Sequence, residues 1–522
     1  MRAVLAAALA VLSCTVPAQA AHFRWASQGE HVSADPHSQD ALLTNAINFH
    51  VYEPLVRRGR KLELLPGLAT SWTQQSPTTW VFRLREGVKW QDGSDFTADD
   101  VVFSVQRAQG PTSNFRTFAN AMGEPRRIDA HTVSFTTARP NPVMVETASG
   151  IMIMSRAWCR KHNAQRAQNF AAREETYATR NAMGTGPFLL VSRVPDVKST
   201  FRRNPAWWGH KEGLFEGNVE TMEFATIRSD ATRMAAQLSG ELDLVQDPPP
   251  QDLASLRRDA RVRIHEGPEN SVVFLGMDQA RDELLYGDVK GRNPFKDVRV
   301  RRALYQAIDN DTLNRVTLRG MAISTGIVLT NPDAAGIPKE LDRRHPFDVA
   351  ASRRLLAEAG YPHGFGVTLD CLNTREKLCV ALAGMVARAG FRMKVNSLPF
   401  TQFLAKGQRM DTSLYMLGWG GAATDAIFLM QPLFHGRNER GDGDSNWGNY
   451  RDASLDALID RVRVETDTAK RQLLINEAMQ RIHDNVYYIP LHRRIAPWVS
   501  RANVEAAHRA NNHLHALWVT VR

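Results

Sequence analysis

The side chains of this sequence that could do chemistry are its paired carboxylates, histidines, cysteines and one glycine-flanked tryptophan. Asp99 and Asp100 look like an acid–base pair. They follow Thr97-Ala98, however, and precede the apolar-periodic run Val101, Val102, Phe103 and Val105. Thr97 is a good helix N-cap, and two negative charges suit the positive end of a helix dipole. Helix-start chemistry therefore accounts for both. A hydrolase needs a nucleophile with its base, or two carboxylates across a cleft. No Gly-x-Ser-x-Gly and no His-Glu-x-x-His occurs. There are 16 histidines but no His-x-x-x-His on a helix and no tight Cys/His cluster. His508, His513 and His515 crowd the C-terminus, where solvation is expected, so no metal and no cofactor is predicted. Gly184-Thr185-Gly186-Pro187 lacks the Gly-x-x-x-x-Gly-Lys and Gly-x-Gly-x-x-Gly patterns of nucleotide loops. Its glycines give backbone freedom and its proline then fixes it, as a chain crossing between domains needs. In Gly418-Trp419-Gly420-Gly421 the glycines let backbone groups approach a ligand. Trp419 could stack on that ligand or on a cation, or simply close the core at a strand end.

Several elements can be read around these residues. Trp80–Arg85 alternates apolar and polar residues as a half-exposed strand does, and Asp92-Gly93 reads as a turn. Residues 297–309 read as a basic amphipathic helix with Val298, Ala303, Leu304 and Ile308 inward, and 348–360 as a second helix ended by Gly360. A strand at 366–371, a helix at 377–389 and a strand at 391–395 follow, then helices at 454–464 and 468–483. This alternation predicts an α/β domain. At 522 residues the chain exceeds one compact core, and two or three interleaved domains are expected. Trp72, Trp80 and Trp90 are assigned to the core.

Charge and the first residues bound the partners and the compartment. The formal net charge is +10. The basic runs Arg57-Arg58-Gly59-Arg60-Lys61 and Arg299-Val300-Arg301-Arg302 are short and read as solvated faces, so no nucleic-acid partner is expected. Met1-Arg2, the apolar run Ala3–Leu12 and Ala18-Gln19-Ala20 form a secretory signal peptide over residues 1–20. The alternative is lipidation at Cys14. No later segment approaches about eighteen consecutive apolar residues. Cys159, Cys371 and Cys379 remain after cleavage; a Cys371–Cys379 bridge and buried thiols are both open.

Long-range order in the sequence resembles a known family. Leu68-Ala69-Thr70-Ser71-Trp72, then residues 80–90, Asp92-Gly93 and Phe96-Thr97-Ala98-Asp99-Asp100-Val101-Val102-Phe103-Ser104 resemble the signature of the dipeptide, oligopeptide and nickel binding proteins. These form family 5 of the bacterial extracellular solute-binding proteins. Ala34-Asp35-Pro36-His37, Val51-Tyr52-Glu53-Pro54-Leu55-Val56, Gly184-Thr185-Gly186-Pro187-Phe188, Arg203–Gly209, Gly240-Glu241-Leu242-Asp243, residues 297–309, residues 350–360 and Tyr488-Ile489-Pro490-Leu491 fit in the same order. The resemblance implies an α/β fold of the periplasmic binding protein-like type II class, with two hinged lobes and an additional domain. Domain I would take 21–55, 184–268 and 490–522, domain II 56–183, and domain III, the ligand-binding lobe, 269–489. It further implies a monomeric periplasmic receptor that hands a peptide or other small solute to the permease of an ABC importer, with no enzymatic step. Opine-like solutes, sugar conjugates, haem and metal chelates are the alternatives.

The resemblance also places a site. In peptide-binding members a Gly-Trp-x-x-Asp stretch holds the ligand, its Asp pairing with the peptide ammonium. Here Gly418-Trp419-Gly420-Gly421-Ala422 puts Ala422 at that position. A buried ammonium without a carboxylate is costly. Either Asp425 replaces it or the ligand has no free amino terminus. Arg375 lies near the place where a ligand carboxylate would want a guanidinium fork. Gln28, Glu30 and His31, after the first strand, are expected to reach the cleft.

Overall fold

The computed structural model describes residues 21–170, 172–421 and 423–522. The expected signal peptide, its cleavage site and Cys14 lie outside the described residues, as does Ala422. Among the described residues no helix is long and apolar enough to cross a membrane.

One sheet runs through most of the molecule. Its strands in chain order are β1 (Ala21–Ser27), β2 (Phe188–Val194), β3 (Lys198–Arg203), β4 (Val219–Thr226), β5 (Leu244–Val245), β6 (Val262–Met277), β7 (Ala322–Ser324), β8 (Phe365–Leu372), β9 (Phe391–Leu398), β10 (Leu414–Gly420) and β11 (Tyr488–Arg501). Their spatial order is β9-β8-β10-β6-β11-β5-β1-β4-β3-β2, with β7 on β11. The long antiparallel pair β6 and β11 is the middle of that order. The first half of β6, Val262–Pro268, pairs with Arg501–Ile495; after a register break, Val272–Gly276 pairs with Arg493–Tyr488. Only the second half also carries β10, from Ser271↔Gly420 to Met277↔Leu414. Pro268 has no N–H to give a ladder, which fits a break at that point.

On the β8–β10 side both faces of the sheet are covered. Val273, Leu275 and Met277 of β6, with Leu414 and Met416 of β10, face one apolar cluster, which includes Leu304, Leu356 and Leu382 from three helices. The intervening Val272, Phe274 and Tyr415 face the other, under the helices Ala453–Val464 and Thr468–Asn485. The period-2 alternation of a strand thus feeds two cores at once. The helices expected from periodicity are present at Val298–Gln306, Val349–Glu358 and Glu376–Val386, and Gly360 has φ +88° past the end of the second. Asp297 and Asp348 cap the first two by accepting from Arg299 and Ala351 N–H. Val298 is only half-buried; Val300 takes the inward position instead. Arg301, read as part of a solvated face, is buried and donates to the carbonyls of Phe295, Asn485 and Val486.

Residues 69–136 build a separate four-stranded antiparallel sheet, whose central strands are Thr79–Leu84 and Thr132–Thr136. The helix Ala98–Ala108 closes it with the expected capping box: Asp100 accepts from Thr97 N–H at 3.0 Å. Trp90 is buried in this core, and Trp72 and Trp80 pack half-buried against it. Cys159, Cys371 and Cys379 are buried free thiols, with Cys379 Sγ 3.6 Å from Met416 Sδ.

Two strands of chain run side by side into and out of this unit. Gly186 N–H donates to Val51 carbonyl and Phe188 N–H to His50 carbonyl, both at 2.9 Å. The glycines are needed for close approach rather than for backbone freedom: a Cβ at Gly184 would lie 1.8 Å from the Val51 carbonyl oxygen. Beside the crossing, the Glu53 carboxylate is buried and accepts from Thr185 Oγ1 at 2.7 Å and from the indole N–H of Trp207 and Trp208 at 3.0 Å. Burial outweighs these donors and raises its pKa from 4.5 to about 7. A carboxyl raised in the folded state stabilises most below its unfolded pKa, and that stability is lost as pH rises through the folded value. Urea unfolding of the wild type and Glu53→Gln should therefore show the wild type losing stability relative to the variant between pH 4.5 and 7.5. A pH-independent difference would refute this account of Glu53.

Candidate functional site

A cavity of about 970 Å³ lies where these units meet. Its walls come from residues 40–65, 115–150, 269–273, 418–429 and 494–518, together with Arg375. Trp419, Gly420, Gly421, Asp425 and Arg375 all line it.

Arg375 is brought there by the turn from β8 to the helix Glu376–Val386. β8 runs parallel to β10, so Arg375 and Trp419 both stand at the carboxyl ends of neighbouring parallel strands. That is the edge at which open α/β sheets bind ligands. On β10, Tyr415, Leu417 and Trp419 point to one face, and the even positions to the other. Gly418 is such an even position, and a Cβ there would lie 2.3 Å from Arg375 Nη2. The glycine thus makes room for the guanidinium. Arg375 makes no hydrogen bond or ion pair among the described residues, and its Nη1 is enclosed without a partner. Burial and the nearby Arg494 both lower its pKa. Arg494 itself pairs with Glu269 at 3.2 Å.

The carboxylates of the cavity are engaged. Asp425 receives both Nη1 and Nη2 of Arg471, at 2.7 and 2.8 Å, and accepts from Ile427 N–H. Glu146, on the short helix Met144–Ala148, is buried; its Oε1 accepts from Arg58 Nη2 at 2.5 Å and from Thr424 N–H at 2.7 Å. That last bond joins this helix to the loop after β10. Phe118 meets Phe428 across the same seam, ring centroids 6.0 Å apart. Asn270 Nδ2 steadies the loop through the carbonyls of Gly421 and Ala423.

The three residues expected to reach the cleft from the first loop are elsewhere. His31 is buried under its loop, Nδ1 2.9 Å from Ser199 Oγ and Nε2 3.0 Å from Asn48 Oδ1, and burial lowers its pKa to about 3. Gln28 is exposed, with its N–H on Asp247. Neither lines the cavity; the polar groups of this loop are used by the strands beside it. Glu30 stays with Arg193 and Arg228. Conversely, Arg57–Lys61, read as a solvated run, lies along the cavity wall. The C-terminal histidines are not solvated either: His513 is buried, and His508 and His515 are half-buried. Glu146 and Arg509 were missed; nothing local in the sequence marks them.

The family model for bacterial extracellular solute-binding proteins, family 5, matches residues 63–441. The chain belongs to this family. Among curated relatives, the dipeptide-binding protein of Escherichia coli is 26% identical over 452 residues, covering 81% of this chain and 79% of that protein. Among solved structures, the periplasmic binding protein DppA of Helicobacter pylori in complex with the peptide STSA superposes with a TM-score of 0.74 at 20% identity, over 96% of this chain and 98% of that one. AgaA of A. tumefaciens in complex with agropinic acid gives 0.72 at 19% identity, over 96% and 99%. These likenesses establish the periplasmic binding protein fold for this family 5 chain.

The Glu146–Thr424 bond is directly readable. In Glu146→Ala, hydrogen exchange at the Thr424 amide should quicken by roughly ten-fold or more, the worth of one charge-assisted hydrogen bond. Unchanged exchange at that amide would mean the bond does not hold the loop.

Proposed function

We propose that this chain is the extracytoplasmic receptor of an ABC importer and that it captures a peptide-like solute through a carboxylate on Arg375. The observation that carries this reading is the guanidinium itself: it lines the cavity, is packed against Gly418, and has no partner of its own. A partly desolvated, unpaired cation is costly unless a ligand anion completes it, and a carboxylate matches its fork. The cavity has a volume suited to a small solute. Of its acidic side chains, Asp425, Glu146 and Glu269, beside the loop after β10, are each held by an arginine of this chain, which favours binding without a chemical step there.

The solute we propose has no free ammonium at the loop after β10, because Asp425 is committed to Arg471. The same observation favours the second reading, a non-peptide carboxylate solute, for which the likeness to the agropinic acid complex is relevant. The lobes we propose follow the sequence-based boundaries: 21–55, 184–268 and 490–522 in domain I, 56–183 in domain II and 269–489 in domain III. The register break of β6 at Pro268/Val272 supports the hinge there. Ligand would bridge the lobes, and the bridged form would dock as a monomer on a permease from the periplasmic side.

Isothermal titration with N-acetyl-Ala-Ala and its C-terminal amide tests the Arg375 reading. The acid should bind the wild type at least thirty-fold more tightly than the amide, about 2 kcal/mol, and Arg375→Met should abolish that discrimination. Equal binding of acid and amide by the wild type would refute it.

A further inference from the structure

Resting on that reading, we infer that the cavity contains a second anion subsite, formed by Arg509 and His513, and that the solute carries a negative group at each end. Arg509 lines the cavity at 5% exposure. Only one of its nitrogens is used: Nη2 donates to the carbonyls of Arg58 and Gly59, each at 3.1 Å. Nε is enclosed without a partner, Nη1 carries no hydrogen bond, and no carboxylate of the described residues stands within ion-pair distance. His513, at 4% exposure on the same wall, also holds its Nε2 enclosed and unpartnered. An enclosed guanidinium nitrogen and an enclosed imidazole nitrogen, both unpartnered on one wall, mark an anion site more strongly than either alone, with His513 in the tautomer that carries its hydrogen on Nε2.

The surrounding charges do not supply the missing anion. Arg58 is positive and is itself answered by Glu146. Glu216 pairs with Arg60 at 2.5 Å and accepts from Trp518 Nε1. Glu63, the acid that most raises the Arg509 pKa, accepts from Lys61 N–H in its own turn. The Trp518 ring lies 5.1 Å from the Arg509 guanidinium and supplies only a cation–π face. The field there is positive enough that, after burial, Arg509 and Arg58 are the next causes holding the His513 imidazole far below its usual pKa. Arg375 stands at the carboxyl end of β8, whereas Arg509 comes from the segment after β11, and Asn270 ties the two regions: its N–H donates to Ala510 carbonyl and its amide to Gly421 carbonyl. A solute spanning them needs an anion at both termini and no cation between.

N-succinyl-Ala-Ala and N-acetyl-Ala-Ala differ in this one respect, since succinylation puts a second carboxylate where the amino terminus was. Titrated into the wild-type chain, the succinyl peptide should bind at least thirty-fold more tightly than the acetyl peptide, and the preference should fall several-fold as salt is raised. In Arg509→Gln the succinyl-to-acetyl ratio should drop to about one, and in Arg375→Met both peptides should weaken. If both bind the wild type equally, the second subsite is wrong and the Arg375 reading stands. If neither binds, both fail. Should Arg509→Gln unfold, the wild-type ratio and its salt dependence decide alone.

Discussion

The pairing of β6 with β11 is the contact on which everything else hangs. They are the two longest strands of the sheet, 16 and 14 residues, and each belongs to two packing environments along its length. The first half of β6 lies in the β11-β5-β1 region; its second half takes β10 on its other edge. A backbone ladder shared in this way cannot be cut without exposing unpaired N–H and C=O groups on both sides. It can bend, however, where the register already slips, between Pro268 and Val272. The second joint, residues 50–53 against 184–188, is similarly a main-chain contact made possible by the missing side chains of Gly184 and Gly186. On the proposed reading, continuous backbone at these two places would let the lobes close on a ligand while staying paired.

Several buried carboxylates of this chain are answered by arginines. Asp35 and Arg107 are fully buried and meet through two bonds of 2.6 and 2.8 Å, and Asp35 also accepts from Gln168 N–H. Asp243 meets both Arg24 and Arg501. Asp442 meets Arg463 and the amides of Gln431 and Asn438. Removing one partner from such a set leaves an uncompensated buried ion, so these groups are fixed by their neighbours. Arg375 and Arg509 have no such carboxylate partner among the described residues, and both line the same cavity.

Much of this was legible in the sequence because it is local or periodic. The capping of Ala98–Ala108, the alternation in Thr79–Leu84, the amphipathic Val298–Gln306 and the Gly360 stop depend on neighbours within a few residues. Arg375 was legible only through family resemblance, and its freedom from partners was not legible at all. The Glu146–Thr424 bond spans 278 positions and has no local signature. The C-terminal histidines and Arg57–Lys61 misled because local composition, polar and basic, suggests solvent, while the tertiary course of the chain puts His513, His515 and Arg57–Lys61 on the cavity wall and packs His508 against Trp498. The loop after β1 misled in the opposite direction: its polar residues look available, yet His31 is fully hydrogen-bonded to Asn48 and Ser199.

The pairing of Asp425 with Arg471 sharpens what the missing carboxylate at Ala422 suggests. For Asp425 to receive a ligand ammonium, its bidentate contact would have to break or be shared, leaving Arg471, which is 9% exposed, short of its counter-ion. Breaking a buried pair costs about 3–5 kcal/mol, which would consume most of what a single new ammonium–carboxylate contact returns. The polar groups of the described loop residues are answered within this chain: Arg471 meets Asp425, Glu146 meets Arg58 and takes the Thr424 amide, and Asn270 donates to the carbonyls of Gly421 and Ala423. On the proposed reading, a loop whose negative groups are committed would disfavour cations while Arg375 favours an anion, so specificity would rest on exclusion as well as attraction.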